Sequence, residues 1–172
     1  KHLLMAALEA DLTSHKECVF DRFNILINEC HMDPFLEEKD KDYASQMLMN
    51  YEVVINQNTK IHKRLEIFMK FFQTLADAGY VNKELIGSAI VLALQGSSCE
   101  FLGVIKMTYD RFKDQKNLGD LNEYQFITND ISDIILSRAI SLDCSIDIFR
   151  YLLNEFDLNH AVMNDEGGLL VI

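Results

Sequence analysis

Apolar residues recur along most of this chain at three- and four-residue spacing, the period of a helix that buries one face. Residues 3–10 read Leu-Leu-Met-Ala-Ala-Leu-Glu-Ala, all strong helix formers. Thr13 or Ser14 can cap a second helix, with Glu17 three residues after Ser14 as in a capping box. Val19, Phe23, Leu26, Ile27 and Cys30 form its stripe. It should end near His31, and Asp33-Pro34 breaks it, because the residue before a proline avoids the α region.

Residues 37–42, Glu-Glu-Lys-Asp-Lys-Asp, read as a charged linker or an exposed helix start. A helix from Tyr43 follows, with Met47, Leu48, Tyr51, Val54 and Ile55, and residues 56–59 interrupt it with polar side chains. Residues 60–78 predict an amphipathic helix whose face carries Ile61, Leu65, Phe68, Met69, Phe72 and Leu75. Gly79 sits where a left-handed C-terminal cap belongs. Asn82 can cap a helix over 83–95, and Gln95-Gly96-Ser97-Ser98 is a turn. Helix 99–113 follows, with Phe101, Leu102, Ile105, Tyr109 and Phe112. Residues 114–120 form a polar loop, and 121–127 are ambiguous, compatible with a short helix. Asp130 or Ser132 starts a helix over 132–142, Leu142-Asp143-Cys144-Ser145 is a tight turn, and a helix over 146–156 follows. No segment sustains apolar–polar alternation, so the expectation is all-α with no sheet.

One segment recurs. Phe23-Asn24-Ile25-Leu26-Ile27-Asn28-Glu29-Cys30 aligns with Phe149-Arg150-Tyr151-Leu152-Leu153-Asn154-Glu155-Phe156, with the Phe, Leu, Asn and Glu positions identical. The offset is 126 residues, three times 42. Two further helix pairs, 43–79 and 82–114, lie between these copies. The chain therefore reads as one helical repeat domain, an α-solenoid of about four helix–turn–helix units. Their bounds are 1–36, 43–79, 82–114 and 130–163, with a further unit opening at 164–172. Lys1 at one end and the apolar run to Ile172 at the other suggest a segment of a longer protein.

The last unit carries a family resemblance. Ile135-Leu136-Ser137-Arg138-Ala139-Ile140, a tight turn, and Ile146 to Asn154 resemble the two helices of an ankyrin repeat. Phe156-Asp157-Leu158-Asn159 resembles the segment leading to the next finger, and Asp165 to Leu170 the opening of a following repeat, with its first helix begun. Leu4 to Ala7, the helix 17–30 and His31 to Pro34 share the outline, as do Ser88 to Ala93 with 99–112. Units of about 40–50 residues, against 33 in the family, imply longer helices or insertions. The resemblance is to divergent modules of the kind found in secreted bacterial effectors and viral host-range proteins. It implies protein–protein interaction in a cytoplasm, the host's if the protein is secreted.

Charge narrows the partners. There are 27 acidic against 16 basic residues, a net charge of -11. Phosphate recognition needs clustered Lys and Arg, so nucleic acid is disfavoured, and an anionic membrane equally. A basic protein surface is the favoured partner. No apolar run approaches the roughly 20 residues needed to cross a bilayer.

Candidate chemistry is sparse. Cys18, Cys30, Cys99 and Cys144 lie in apolar patterns and read as reduced, buried thiols. His15, Cys18, Cys30 and His31 are the one grouping that could seat zinc, yet they lack a Cys-x2-Cys knuckle, so no metal is assigned. Cys99 and Cys144 follow turns near helix N-termini, where the dipole can lower a thiol pKa, but neither carries a nucleophile signature. Asp157 to Ala161 lacks the glycine and glutamate of a calcium loop, and Gly167-Gly168 lacks the Lys-Ser/Thr of a phosphate loop. No catalytic residue and no cofactor is expected. The candidate partner-binding residues are those at two polar turns: Gln95, Ser97, Ser98, Asp143 and Ser145. The alternative function is a substrate-recruiting accessory domain of an enzyme whose catalytic region lies outside this chain.

Overall fold

The computed structural model describes residues 3–13, 20–35, 37–38, 41–42, 61–128, 131–158, 161–163 and 169–171. The chain is mostly helical and divides into two compact units, Lys1–Leu85 and Ile86–Ile172. The expected helix from Tyr43, the polar interruption at 56–59, and the capping box of Ser14 and Glu17 lie outside the described residues.

In the first unit, α1 (Leu3–Thr13) packs on α2 (Asp21–Asn28). α1 buries Leu4, Met5, Ala7 and Leu8, and also Asp11. The reason for burying a carboxylate is local. The residue capping α2, Phe20, has no side-chain acceptor to offer. Asp11 supplies one from the neighbouring helix: its Oδ2 accepts from the Phe23 amide at 3.0 Å, and its Oδ1 pairs with Arg22 at 3.0 Å. A carboxylate there satisfies an otherwise orphaned donor and faces the positive end of the helix dipole. α2 is shorter than the expected stripe. It ends at Asn28, and the chain turns through His31 at φ 53°.

Next, α3 (Ile61–Asp77) closes this core. Phe71 lies 5.6 Å from Phe20, 5.4 Å from Phe23 and 6.2 Å from Phe68, ring centre to ring centre. Phe68, Phe72 and Leu75 are buried as their spacing predicts, but so are Ile67, Phe71 and Ala76. The buried face is thus broader than a single stripe. Gly79, at φ 81°, ends the helix: its amide donates to the Ala76 carbonyl and that of Tyr80 to Leu75, the paired bonds of a left-handed cap. Asn82 then caps α4 (Lys83–Gln95) by accepting from the Leu85 amide at 2.8 Å.

Beyond Leu85, α4 buries Ile86, Ala89, Ile90, Ala93 and Leu94 at helical spacing. Helix α5 (Cys99–Phe112) buries all five apolar residues its pattern marked. The loop after it is pinned by two hydroxyls: Tyr109 donates to the Gly119 carbonyl at 2.6 Å, and Tyr124 to that of Leu118 at 2.9 Å. A 3-10 turn, Leu121–Glu123, leads into an antiparallel hairpin of β1 (Gln125–Thr128) and β2 (Ile131–Ile134). Then come α6 (Ile135–Ser141) and α7 (Ile146–Asn154). Two shorter hairpins complete the described strands: Glu37–Glu38 with Lys41–Asp42, and Ala161–Met163 with Leu169–Val171.

These hairpins correct the expectation of no sheet. Strands of two to four residues place at most two side chains on each face, too few for alternation to register. Ile131, Ile134 and Ile135 also fall at i, i+3 and i+4, so the strand mimics a helix start, and the expected helix from Asp130 or Ser132 begins only at Ile135. Residues 169–171, expected to open a helix, pair instead with 161–163. In the charged segment expected as a linker or helix start, Glu37–Glu38 pairs with Lys41–Asp42 as short strands, with Glu38 opposite Lys41. Among the described residues, a helix pair is followed by a hairpin three times: α1–α2, α4–α5 and α6–α7.

The two segments that align in the sequence have similar helix ends. At α2 the Glu29 amide donates to Ile25, with φ -95° and ψ -39°, and a left-handed His31 follows. At α7 the Glu155 amide donates to Tyr151, with φ -95° and ψ -34°, and a left-handed Asp157 follows at φ 50°. Each pair of positions is 126 residues apart. The buried faces differ. α2 buries Phe23 and Ile27, and its capping residue Phe20 is buried with them, whereas α7 buries Ile148 and Leu152, whose counterparts are Arg22 and Leu26.

Candidate functional site

The two polar turns singled out in the sequence both lie in the second unit, and each is built by the same device. At the end of α4, Ser97 is left-handed at φ 49°; its amide donates to Leu94 and that of Ser98 to Ala93. At the end of α6, Asp143 is left-handed at φ 52°; its amide donates to Ile140 and that of Cys144 to Ala139. These are left-handed C-terminal caps made without glycine. A serine then starts the next helix on each side. Ser98 Oγ accepts from the Phe101 amide at 3.0 Å, and Ser145 Oγ from the Ile148 amide at 3.4 Å.

One contact joins the turns. The Cys144 thiol donates to the Leu94 carbonyl at 3.4 Å. The turns are therefore neighbours on one edge, with Gln95, Ser97, Asp143 and Ser145 exposed and Ser98 half-buried. Of the five candidates, Gln95, Ser97 and Asp143 point polar groups outward from an ordered backbone. Ser98 and Ser145 are engaged in capping, so their first role is structural.

The thiols depart from expectation. Cys30 is exposed because it lies past the end of α2, and Cys99 and Cys144 are half-buried. Burial pushes the Cys144 thiol above its ordinary pKa, and the negative charge of Asp143 pushes it further, opposite to the lowering a helix N-terminus can give. Cys18 and His15, two of the four residues weighed for zinc, lie outside the described residues. No cluster of three or more His, Cys, Asp or Glu suited to a metal occurs among the described residues. No helix among them is long and apolar enough to cross a membrane.

A feature the sequence reading missed lies beside this edge. Ile140 is 53% exposed and Ile146 68%, with Leu153 at 38% on the same side of α7 as Ile146. The i, i+7 spacing of Ile146 and Leu153 carries the signal, but spacing alone does not say whether that side of the helix faces inward. Close packing elsewhere fixes α7: a Cβ on Gly103 of α5 would meet the Tyr151 hydroxyl at 3.0 Å. Comparison with protein-family models, with curated proteins and with solved structures finds no match to this chain.

Proposed function

We propose that this chain is a protein-interaction module: an α-solenoid of ankyrin-like helix pairs whose polar turn edge meets a protein with a basic surface. The observation that carries the reading is the Cys144–Leu94 contact, which sets the turns at 95–98 and 142–145 side by side. Turn tips held this way present side chains from a rigid scaffold, as binding loops generally do. The recurrence of helix, helix, hairpin, and the matching ends of α2 and α7, favour a repeat architecture, in which stacked units expose an extended face. The net charge of -11 supports a basic partner.

The test uses outward groups that the fold does not need. Gln95→Ala and Asp143→Asn remove polar contacts, and asparagine tolerates the left-handed backbone at 143. The double variant should keep its thermal transition and bind its partner about tenfold more weakly in a pull-down titration. Unchanged affinity would mean that the edge is not the binding surface.

A further inference from the structure

The exposed face of α7 has a covered counterpart in the same molecule. Under the 126-residue offset that aligns the repeat, Ile146, Phe149 and Leu153 correspond to Phe20, Phe23 and Ile27. In the first unit all three are buried, and an aromatic-faced helix covers them: Phe71 of α3 lies against both phenylalanine rings. In the second unit Ile146 and Leu153 are exposed and Phe149 is half-buried. The two helices end in the same geometry, so Phe149 and Leu153 occupy the places of Phe23 and Ile27, while Ile146 opens α7 where Phe20 stands one position before α2.

Resting on the reading of the chain as an interaction module, we propose that Ile146, Phe149 and Leu153 of α7 seat an amphipathic, aromatic-faced helix of a partner protein, as α3 is seated on α2. Charge specifies the partner's flanks. Asp147 on α7, Asp143 before it and Glu155 and Asp157 just past its end are exposed, against Arg150 alone among the exposed cations of residues 143–157. Arg150 lies 3.9 Å from Asp147, which offsets part of its charge. A helix with Phe or Leu at i, i+3, i+4 and i+7 and with Lys or Arg beside that stripe is complementary on both counts. α3 has this chemistry: Phe68, Phe71, Phe72 and Leu75, with Lys63, Arg64 and Lys70 on the same helix.

The probe is a fluorescein-labelled peptide of residues 61–77, titrated with the whole chain and followed by anisotropy. The intact chain should bind it, and Ile146→Glu with Leu153→Glu should weaken binding about tenfold or more. Both positions are exposed, so the variant should keep its circular dichroism and thermal midpoint. A peptide with Phe68 and Phe71 replaced by alanine should bind as weakly. Equal binding by the variant and the intact chain would overturn the proposal, since the peptide would then be displacing α3 or adhering elsewhere. No peptide binding would also overturn it. The module reading would survive either result if a protein partner still bound the turn edge and lost affinity on Gln95→Ala, a residue outside the α7 face.

Discussion

Replacing Asp11 by alanine removes its contacts to the Phe23 amide and to Arg22 and leaves that amide buried against an apolar side chain. Arg22 is 60% exposed and can return to water, so the cost falls on the cap rather than the ion pair. We expect a loss of about 2 kcal/mol in urea denaturation, at the upper end for a helix cap. Asp11→Asn keeps an acceptor for the amide and should lose clearly less. Equal losses would place the stabilisation in the charge. Cys144 offers a second reading at this scale. Its thiol stays protonated above the ordinary range, so the folded state is favoured below the usual thiol pKa and loses that advantage as pH rises through the raised value. Alkylation at about pH 8 should modify exposed Cys30 well before Cys144, because only the thiolate reacts. Cys144 labelling at the rate of Cys30 would contradict the packing of the two turns.

Two glycines make opposite predictions among the elements. A Cβ on Gly87 of α4 would meet Phe126 at 3.5 Å, an ordinary contact, so Gly87→Ala should stabilise the fold by about 1 kcal/mol through helix propensity. The same change at Gly103 meets the Tyr151 hydroxyl at 3.0 Å and forces that side chain to move. Gly103→Ala should therefore give no gain alone and a gain of about 1 kcal/mol in a Tyr151→Phe background. Additivity in that cycle would show that α5 and α7 do not approach as described. The helices were legible because their stripes are long: all five marked residues of α5 are buried, and α4 and α7 fall within two residues of expectation. The hairpins were not, because strands this short carry no period. The helix ends show a related blindness. Glycine marks the cap at Gly79, but Ser97, Asn117 and Asp143 take the same left-handed conformation with side chains that a search for glycine passes over.

For the whole molecule, composition gives the sign of this chain's own charge, and the basic partner proposed above rests on that net charge of -11. The turn edge could be located from sequence because its residues are polar and lie between helices. Its neighbour on α7 could not, because burial depends on which face a helix turns inward. The matching segments at 23–30 and 149–156 turn different faces inward despite their shared residues. A stripe of apolar residues shows that a helix has a face to cover, and only tertiary packing decides which face is covered.

The most direct test is affinity capture from cell lysate by the intact chain, at low and at high salt, beside the Gln95→Ala, Asp143→Asn variant. A polar turn edge on a chain of net charge -11 should retain one dominant basic protein at low salt, lose much of it at high salt, and lose it in the variant at both. If the folded chain retains nothing, or the variant retains the same protein undiminished, the interaction edge proposed for this molecule is wrong.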